Sequence, residues 1–101
     1  MNTLASLTLK DNTDKKQFEL QVEGNLARIE YIKTLDKIYL THTEVPKALE
    51  GKGIGTAIVH KALEWVKANE LTLIPLCPFV ALYIKRNPEY KSLVLKGINI
   101  A

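Results

Sequence analysis

Apolar and polar residues alternate through the first half of this chain, and then the period changes. Residues 6–10 and 17–22 alternate with a period of two, and Asp11-Asn12-Thr13-Asp14 stands between them. That pattern predicts strand, turn, strand. Glu23-Gly24-Asn25 predicts the next turn, and residues 26–33 alternate again, with Leu26, Arg28, Glu30 and Ile32 set against Ala27, Ile29 and Tyr31. Leu35-Asp36-Lys37 turns into a fourth alternating run, residues 38–45. The first half is expected to be an antiparallel meander.

From Ile54 the apolar residues recur at helical spacing. Ile54, Ile58, Ala62, Trp65 and Val66 share one face, Val59 and Leu63 lie at its edge, and His60, Lys61, Glu64 and Lys67 fall largely opposite. Asn69 is the predicted end of this helix. Residues 71–76 form a short apolar run suited to a buried strand, residues 78–86 read as a second helix, and Asn87-Pro88 breaks it. Leu93-Val94-Leu95 is expected as a last strand or a packed tail. The order predicts a single α/β (α+β) domain over residues 1–101, with a mostly antiparallel mixed sheet and two main helices.

At 101 residues the chain is near the commonest domain size, and 47% hydrophobic with 25% charged residues suits a globular fold rather than a disordered one. No apolar run approaches the roughly 20 residues of a membrane span. The first residues lack a basic segment followed by an apolar stretch, so no export signal is expected. One cysteine excludes an internal disulfide, and with two separated histidines it offers no metal-ligand set. A cytoplasmic protein, monomeric or weakly dimeric, is the expectation. Net charge is only +3 and the lysines are dispersed, which suits a solvated surface better than a nucleic-acid groove.

Glu50-Gly51-Lys52-Gly53-Ile54-Gly55-Thr56 changes that bland picture. Glycine costs about 1 kcal/mol relative to alanine inside a helix, so a glycine-rich helix start needs a reason. Close backbone approach to a ligand, commonly a phosphate at the helix N-terminus, is one. Lys52 adds to it, because a cation beside a helix N-terminus calls for a nearby anion. The P-loop pattern is absent, and the dinucleotide fingerprint fails because Thr56 or Ile58 occupies its third glycine position.

What remains, x-Gly-x-Gly-Ile-Gly between a strand and a long helix, resembles the pyrophosphate loop of the GNAT superfamily of acyl-coenzyme A-dependent N-acetyltransferases. Gly53 and Gly55 match the loop's glycine positions, and Glu50 departs from its usual Gln or Arg. His42-Thr43-Glu44-Val45-Pro46, Pro75-Leu76-Cys77-Pro78-Phe79-Val80 and Pro88-Glu89-Tyr90 resemble, in order and spacing, a small single-domain branch of that superfamily. The resemblance covers residues 18–94 and implies a minimal GNAT-like fold, without the paired helices that larger members carry between their first two strands.

The resemblance implies an acetyltransferase that takes acetyl-CoA (coenzyme A) as cofactor and an amine, protein or small molecule, as acceptor. Pyrophosphate would rest on the amides of Gly51, Lys52, Gly53, Ile54, Gly55 and Thr56. Val45, closing the preceding strand, would offer main-chain contacts to the pantetheine arm, and Asn87 and Tyr90 would border the nucleotide end. A turn and a packing contact explain those two equally.

Three residues are candidates for chemistry. If a helix begins at Pro78, Cys77 is its N-cap and faces the positive end of the dipole, where thiolates are favoured and reactive. A small buried residue at a strand end is the other reading. Glu44 stands where GNAT enzymes commonly place the base that an ammonium acceptor requires. His42, two residues earlier, shares its sheet face. Direct transfer assigns Glu44 as base, whereas transfer through an acetyl-cysteine assigns Cys77 as nucleophile. A coenzyme A-binding module without turnover, self-acylating at Cys77, is the alternative. Tyr83 is a weak acid candidate, and His60 reads as surface.

Overall fold

The computed structural model describes residues 4–100. After a 3₁₀ turn at Leu4–Ser6 come four strands, β1 (Lys10–Asn12), β2 (Gln17–Val22), β3 (Asn25–Lys33) and β4 (Lys37–Glu44). Helix α1 (Ile54–Ala68) leads to β5 (Thr72–Pro75), and α2 (Pro78–Arg86) runs into a 3₁₀ segment at Pro88–Leu93. The sheet order is β1-β2-β3-β4-β5, antiparallel throughout except for the parallel β4–β5 pair that α1 bridges. This is the expected α+β architecture: a five-stranded mixed sheet with two main helices.

Local chemistry sets the turns. Glu23 and Gly24 both take positive φ (50° and 79°) and join the paired residues Val22 and Asn25, a two-residue hairpin turn whose twist suits its strands. At the end of α1, Asn69 caps the last turn by donating from its side-chain amide to the Trp65 carbonyl. Glu70 turns left-handed (φ 55°), and Leu71 N–H reaches the Val66 carbonyl. That pattern closes a helix C-terminus while turning the chain into β5.

The first strand differs from expectation. Residues 6–10 alternate, but β2 pairs with Lys10, Asp11 and Asn12, so the strand keeps only Lys10 of that run and takes Asp11 and Asn12 from the expected turn. Polar contacts hold them there. The Asn12 amide donates to Glu19, and Asp11 accepts from the Tyr31 hydroxyl. The tail resolves as both alternatives at once: Val94 makes a single parallel bridge to Leu73, and its neighbours pack as irregular chain.

One sheet face carries the core. Phe18, Leu20, Ala27, Ile29, Ile38 and Leu40 are fully buried beneath Ile58, Val59, Ala62, Leu63 and Val66 of α1. Val59 and Leu63 therefore sit at the centre of the helix face rather than at its edge. Trp65 is only half-buried and meets Phe18 edge-on with ring centroids 4.9 Å apart.

Among the described residues, the opposite face bears no helix, and it is polar near the hairpin ends. Cross-strand register aligns Lys10, Glu19, Arg28 and Glu44 in one row and Asn12, Gln17, Glu30 and His42 in the next. Hydrogen bonds from Gln17 and Asn12, with Lys10 and Lys15 nearby, hold the Glu19 carboxyl below the usual carboxylate range against the opposing effect of burial. A depressed folded-state value means that Glu19 stabilises the fold above the carboxylate range and loses that contribution as pH falls through it. Glu19→Gln should therefore melt below the wild type at neutral pH. Melting curves from neutrality to about pH 3 should show the gap closing in acid.

Candidate functional site

β4 outruns its partner. The parallel ladder pairs Lys37 to Leu40 with Thr72 to Pro75 and stops there, and the Cys77 N–H closes it by donating to the Leu40 carbonyl at 2.9 Å. Residues 41–44 continue beside β3 alone, across an irregularity opposite Glu30 and Tyr31. The two strands part at this point. Among the described residues, no backbone hydrogen bond joins residues 41–45 to β5 or α2.

Beyond the splay, the chain passes through a 3₁₀ turn anchored by buried Leu49, then through Gly51 and Gly53, both left-handed (φ 78° and 73°), into α1. Gly53 is the N-cap, and among the described residues neither a side-chain cap nor an acidic residue serves the first turn. The N–H groups of Ile54, Gly55 and Thr56 have no carbonyl partner within the helix, which is the arrangement that favours an anion. Gly55 has a different reason for being glycine. A Cβ there would stand 3.0 Å from the Phe79 ring and 3.5 Å from Val45, so its absence lets α1 approach α2 and the end of β4. Lys52 already has its anion, an ion pair with Glu23 at 2.7 Å.

The three candidates for chemistry gather at the splay but on different sides of β4. Cys77 is the N-cap of α2, only 4% exposed, with its sulfur 3.4 Å from the Thr43 hydroxyl. Glu44 and His42 project from the helix-free face, where His42 Nε2 meets Glu44 Oε1 at 3.1 Å and Arg28 approaches the same carboxylate at 4.0 Å. Arg28 also donates to Glu30 at 3.0 Å, so one guanidinium spans two half-exposed carboxylates. Strand alternation places Thr43 beside the buried thiol, with Glu44 facing solvent.

The remaining site residues have structural partners. Asn87 caps α2, its side-chain amide donating to the Tyr83 carbonyl at 2.9 Å. Its side chain also lines a small hollow with Thr56, Phe79 and Arg86. Tyr90 is 5% exposed and its hydroxyl donates to Glu64 at 2.6 Å. Burial and that carboxylate raise the Tyr90 phenol well above its usual range.

Sequence reasoning missed a cluster built on His60. Its Nδ1 lies 3.1 Å from the Tyr90 hydroxyl and 3.2 Å from that of Tyr83. Burial, with Glu89 and Glu64 nearby, raises the Tyr83 phenol too, so it stays protonated at neutral pH. His60 and Glu64 are four residues apart on one helix and share a face, which was the available signal. Their tyrosine partners arrive from α2 and the segment after it, and nothing in the local pattern announces them. Beside the cluster a groove of about 500 Å³ runs from Leu4 and Gly53 past Thr56 and Ala57 to His60 and Tyr83.

Among the described residues, no helix is long and apolar enough to cross a membrane, and no three His, Cys, Asp or Glu side chains come together as metal ligands.

Known proteins resemble this sequence. The profile of the GCN5-related N-acetyl-transferase family matches residues 17–93, from the first residue of β2 to the last of the 3₁₀ segment after α2. Protein NATD1 of Xenopus tropicalis is 31% identical over 94 residues, covering 87% of this chain and 84% of the relative. Protein NATD1 of Mus musculus is 30% identical over 88 residues (81% and 77%), and that of Danio rerio 28% over 89 (82% and 78%). Parted parallel strands, an uncapped glycine-bounded helix start between them and a matching profile over three quarters of the length lead to one conclusion: the chain belongs to the GCN5-related N-acetyltransferase family.

Proposed function

We propose that this protein transfers the acetyl group of acetyl-CoA to an amine that approaches from the helix-free face of the sheet. One observation carries the reading: β4 parts from β5 directly beside the uncapped start of α1. Amides of residues 51–56 would hold the diphosphate, and Lys52 would add its charge by leaving Glu23. An exposed pair of that kind is worth only about 0–1 kcal/mol, so a phosphate competes with it. The Val45 main chain would meet the pantetheine arm, as an unpaired strand edge does with an extended ligand. Asn87 borders the nucleotide end, with Tyr90 packed behind. We also place the chain in the small single-domain branch, supported by the Cys-Pro-Phe word and by a β1–β2 connection of residues 13–16 that leaves no room for a helix pair.

When bound, the thioester supplies an acyl carbon activated for attack. Glu44 takes the proton from the acceptor ammonium, and His42 and Arg28 hold the carboxylate in place. The acetyl group would pass to the freed amine, and coenzyme A would leave as its thiol, taking up the proton that the nitrogen loses. Cys77, buried against Thr43, forms the opposite wall.

Coenzyme A thiol release in the presence of a panel of primary amines tests this reading. Glu44→Gln should slow release by about 10²–10⁴-fold, the usual contribution of a positioned base, whereas Cys77→Ser should retain most of it. The sheet face that bears Glu44 is open, which favours one second reading, a binding module that acylates itself. A mass adduct on Cys77 that persists beside every amine would replace the first reading with the second.

A further inference from the structure

We infer that the acceptor is a monoamine with an apolar carbon chain, and that Leu76, Ile74, Tyr39 and Ile32 select it over a polyamine. This rests on the transfer reading above and deepens it by naming the class of acceptor.

The helix-free face is divided along its length. Beyond the polar rows, the register sets Ile32 opposite Tyr39 and Tyr39 beside Ile74, one apolar row across β3, β4 and β5. Strand alternation puts this row on the face away from Ile38, Leu40 and Leu73, which belong to the core. Ile74 is only 6% exposed and yet lies outside the core cluster beneath α1, so it is buried on the other side of the sheet. Ile32 remains 57% exposed. Leu76 stands where the β4–β5 ladder ends, between buried Pro75 and buried Cys77, and is 59% exposed. A strip of apolar surface therefore runs from the splay toward the β3–β4 turn.

Charge fixes the orientation of what lies on it. At the splay end, Glu30 and Glu44 share the single guanidinium of Arg28, and two carboxylates against one cation leave one negative charge. Lys10 and Glu19 in the neighbouring row balance each other. One ammonium completes this group. At the far end, the next residue of β4 on the same face is Lys37, a cation whose partner is Asp36 at 3.2 Å. A second ammonium there would lose its water to Ile32, Tyr39 and Ile74 and meet a lysine, with no unpaired carboxylate to offset the cost. Three residues of strand separate Tyr39 from His42, about 10 Å, which an alkyl chain of about eight carbons spans. In the transfer itself the ammonium gives one proton to Glu44 and its nitrogen takes the acetyl group. The departing sulfur takes the second proton from that nitrogen.

Steady-state coenzyme A thiol release with butylamine, hexylamine, octylamine and octamethylenediamine tests this. The value of kcat/KM should rise about threefold for each added methylene, as burial of apolar chain requires, with the change in KM and kcat nearly constant. Octamethylenediamine should fall at least about tenfold below octylamine, since its far ammonium replaces buried chain. Leu76→Ser should flatten the dependence on chain length. Ile32→Glu, at an exposed position where the fold tolerates a charge, should reverse the preference and favour the diamine. Turnover that ignores chain length, or equal use of octylamine and the diamine, would overturn the inference and leave acetyl transfer standing. No turnover with any of these amines, by protein that binds acetyl-CoA, would overturn the transfer reading and this inference with it.

Discussion

Gly53→Glu should weaken acetyl-CoA binding by at least about 100-fold. Two effects act in one direction. Gly53 has φ 73°, where a side chain costs about 1–2 kcal/mol, so the substituted loop relaxes away from its native path. The new carboxylate sits at the amides of Ile54, Gly55 and Thr56, satisfies them and repels a diphosphate. Gly24→Glu is the matched control, with the same left-handed strain (φ 79°) and open space around it, but in the β2–β3 hairpin. It should lower the melting temperature and leave affinity near the wild-type value. Equal binding by the Gly53 and Gly24 variants would show that the α1 N-terminus does not hold the ligand.

The largest stability effect is expected at Phe18. Its side chain is fully buried, with the Tyr31 and Trp65 ring centroids each 4.9 Å away, and it joins β2 to α1. Phe18→Ala should cost about 3–5 kcal/mol, because removing the ring loses its transfer free energy and leaves a cavity bordered by two rigid aromatics. Domains of this size hold about 5–15 kcal/mol in all, so the variant should melt roughly 10 °C or more below the wild type. Denaturant titration followed by Trp65 fluorescence measures it. A loss under about 1 kcal/mol would mean that α1 does not seal the sheet at this point.

The meander was legible because its alternation and its turns agree. β3 buries alternate side chains (Ala27, Ile29 and Tyr31), β2 buries Phe18, Leu20 and Val22 together with the polar Gln17 and Glu19, and Glu23-Gly24 supplies the two positive φ angles that their hairpin needs. Helix α2 was legible to the residue, since Cys77-Pro78 starts it and Asn87-Pro88 stops it. β1 was not, because its position depends on register with β2 and on the Asp11–Tyr31 and Asn12–Glu19 contacts, none of which leaves a local pattern. The pairing of His42 with Glu44 followed from strand alternation. Alternation also sets Cys77 and Glu44 on opposite sides of β4, a consequence of the Thr43 contact that required the fold.

Two glycine-loop arguments shifted once the packing was known. Lys52 implied an anion, and the chain itself provides one in Glu23 from a hairpin 29 residues earlier. Gly55 implied close approach, and the approaching group is the Phe79 ring. Gly53 keeps its independent reason, the left-handed N-cap. The His60 cluster lay beyond sequence reading because its three elements meet only after α2 folds against α1.

Calorimetric titration of the purified wild-type protein with acetyl-CoA tests the central claim most directly. Saturable one-to-one binding, competed by inorganic pyrophosphate, is the predicted result. No heat at millimolar acetyl-CoA, from protein whose melting curve shows it folded, would contradict the account and leave a family fold serving some other ligand.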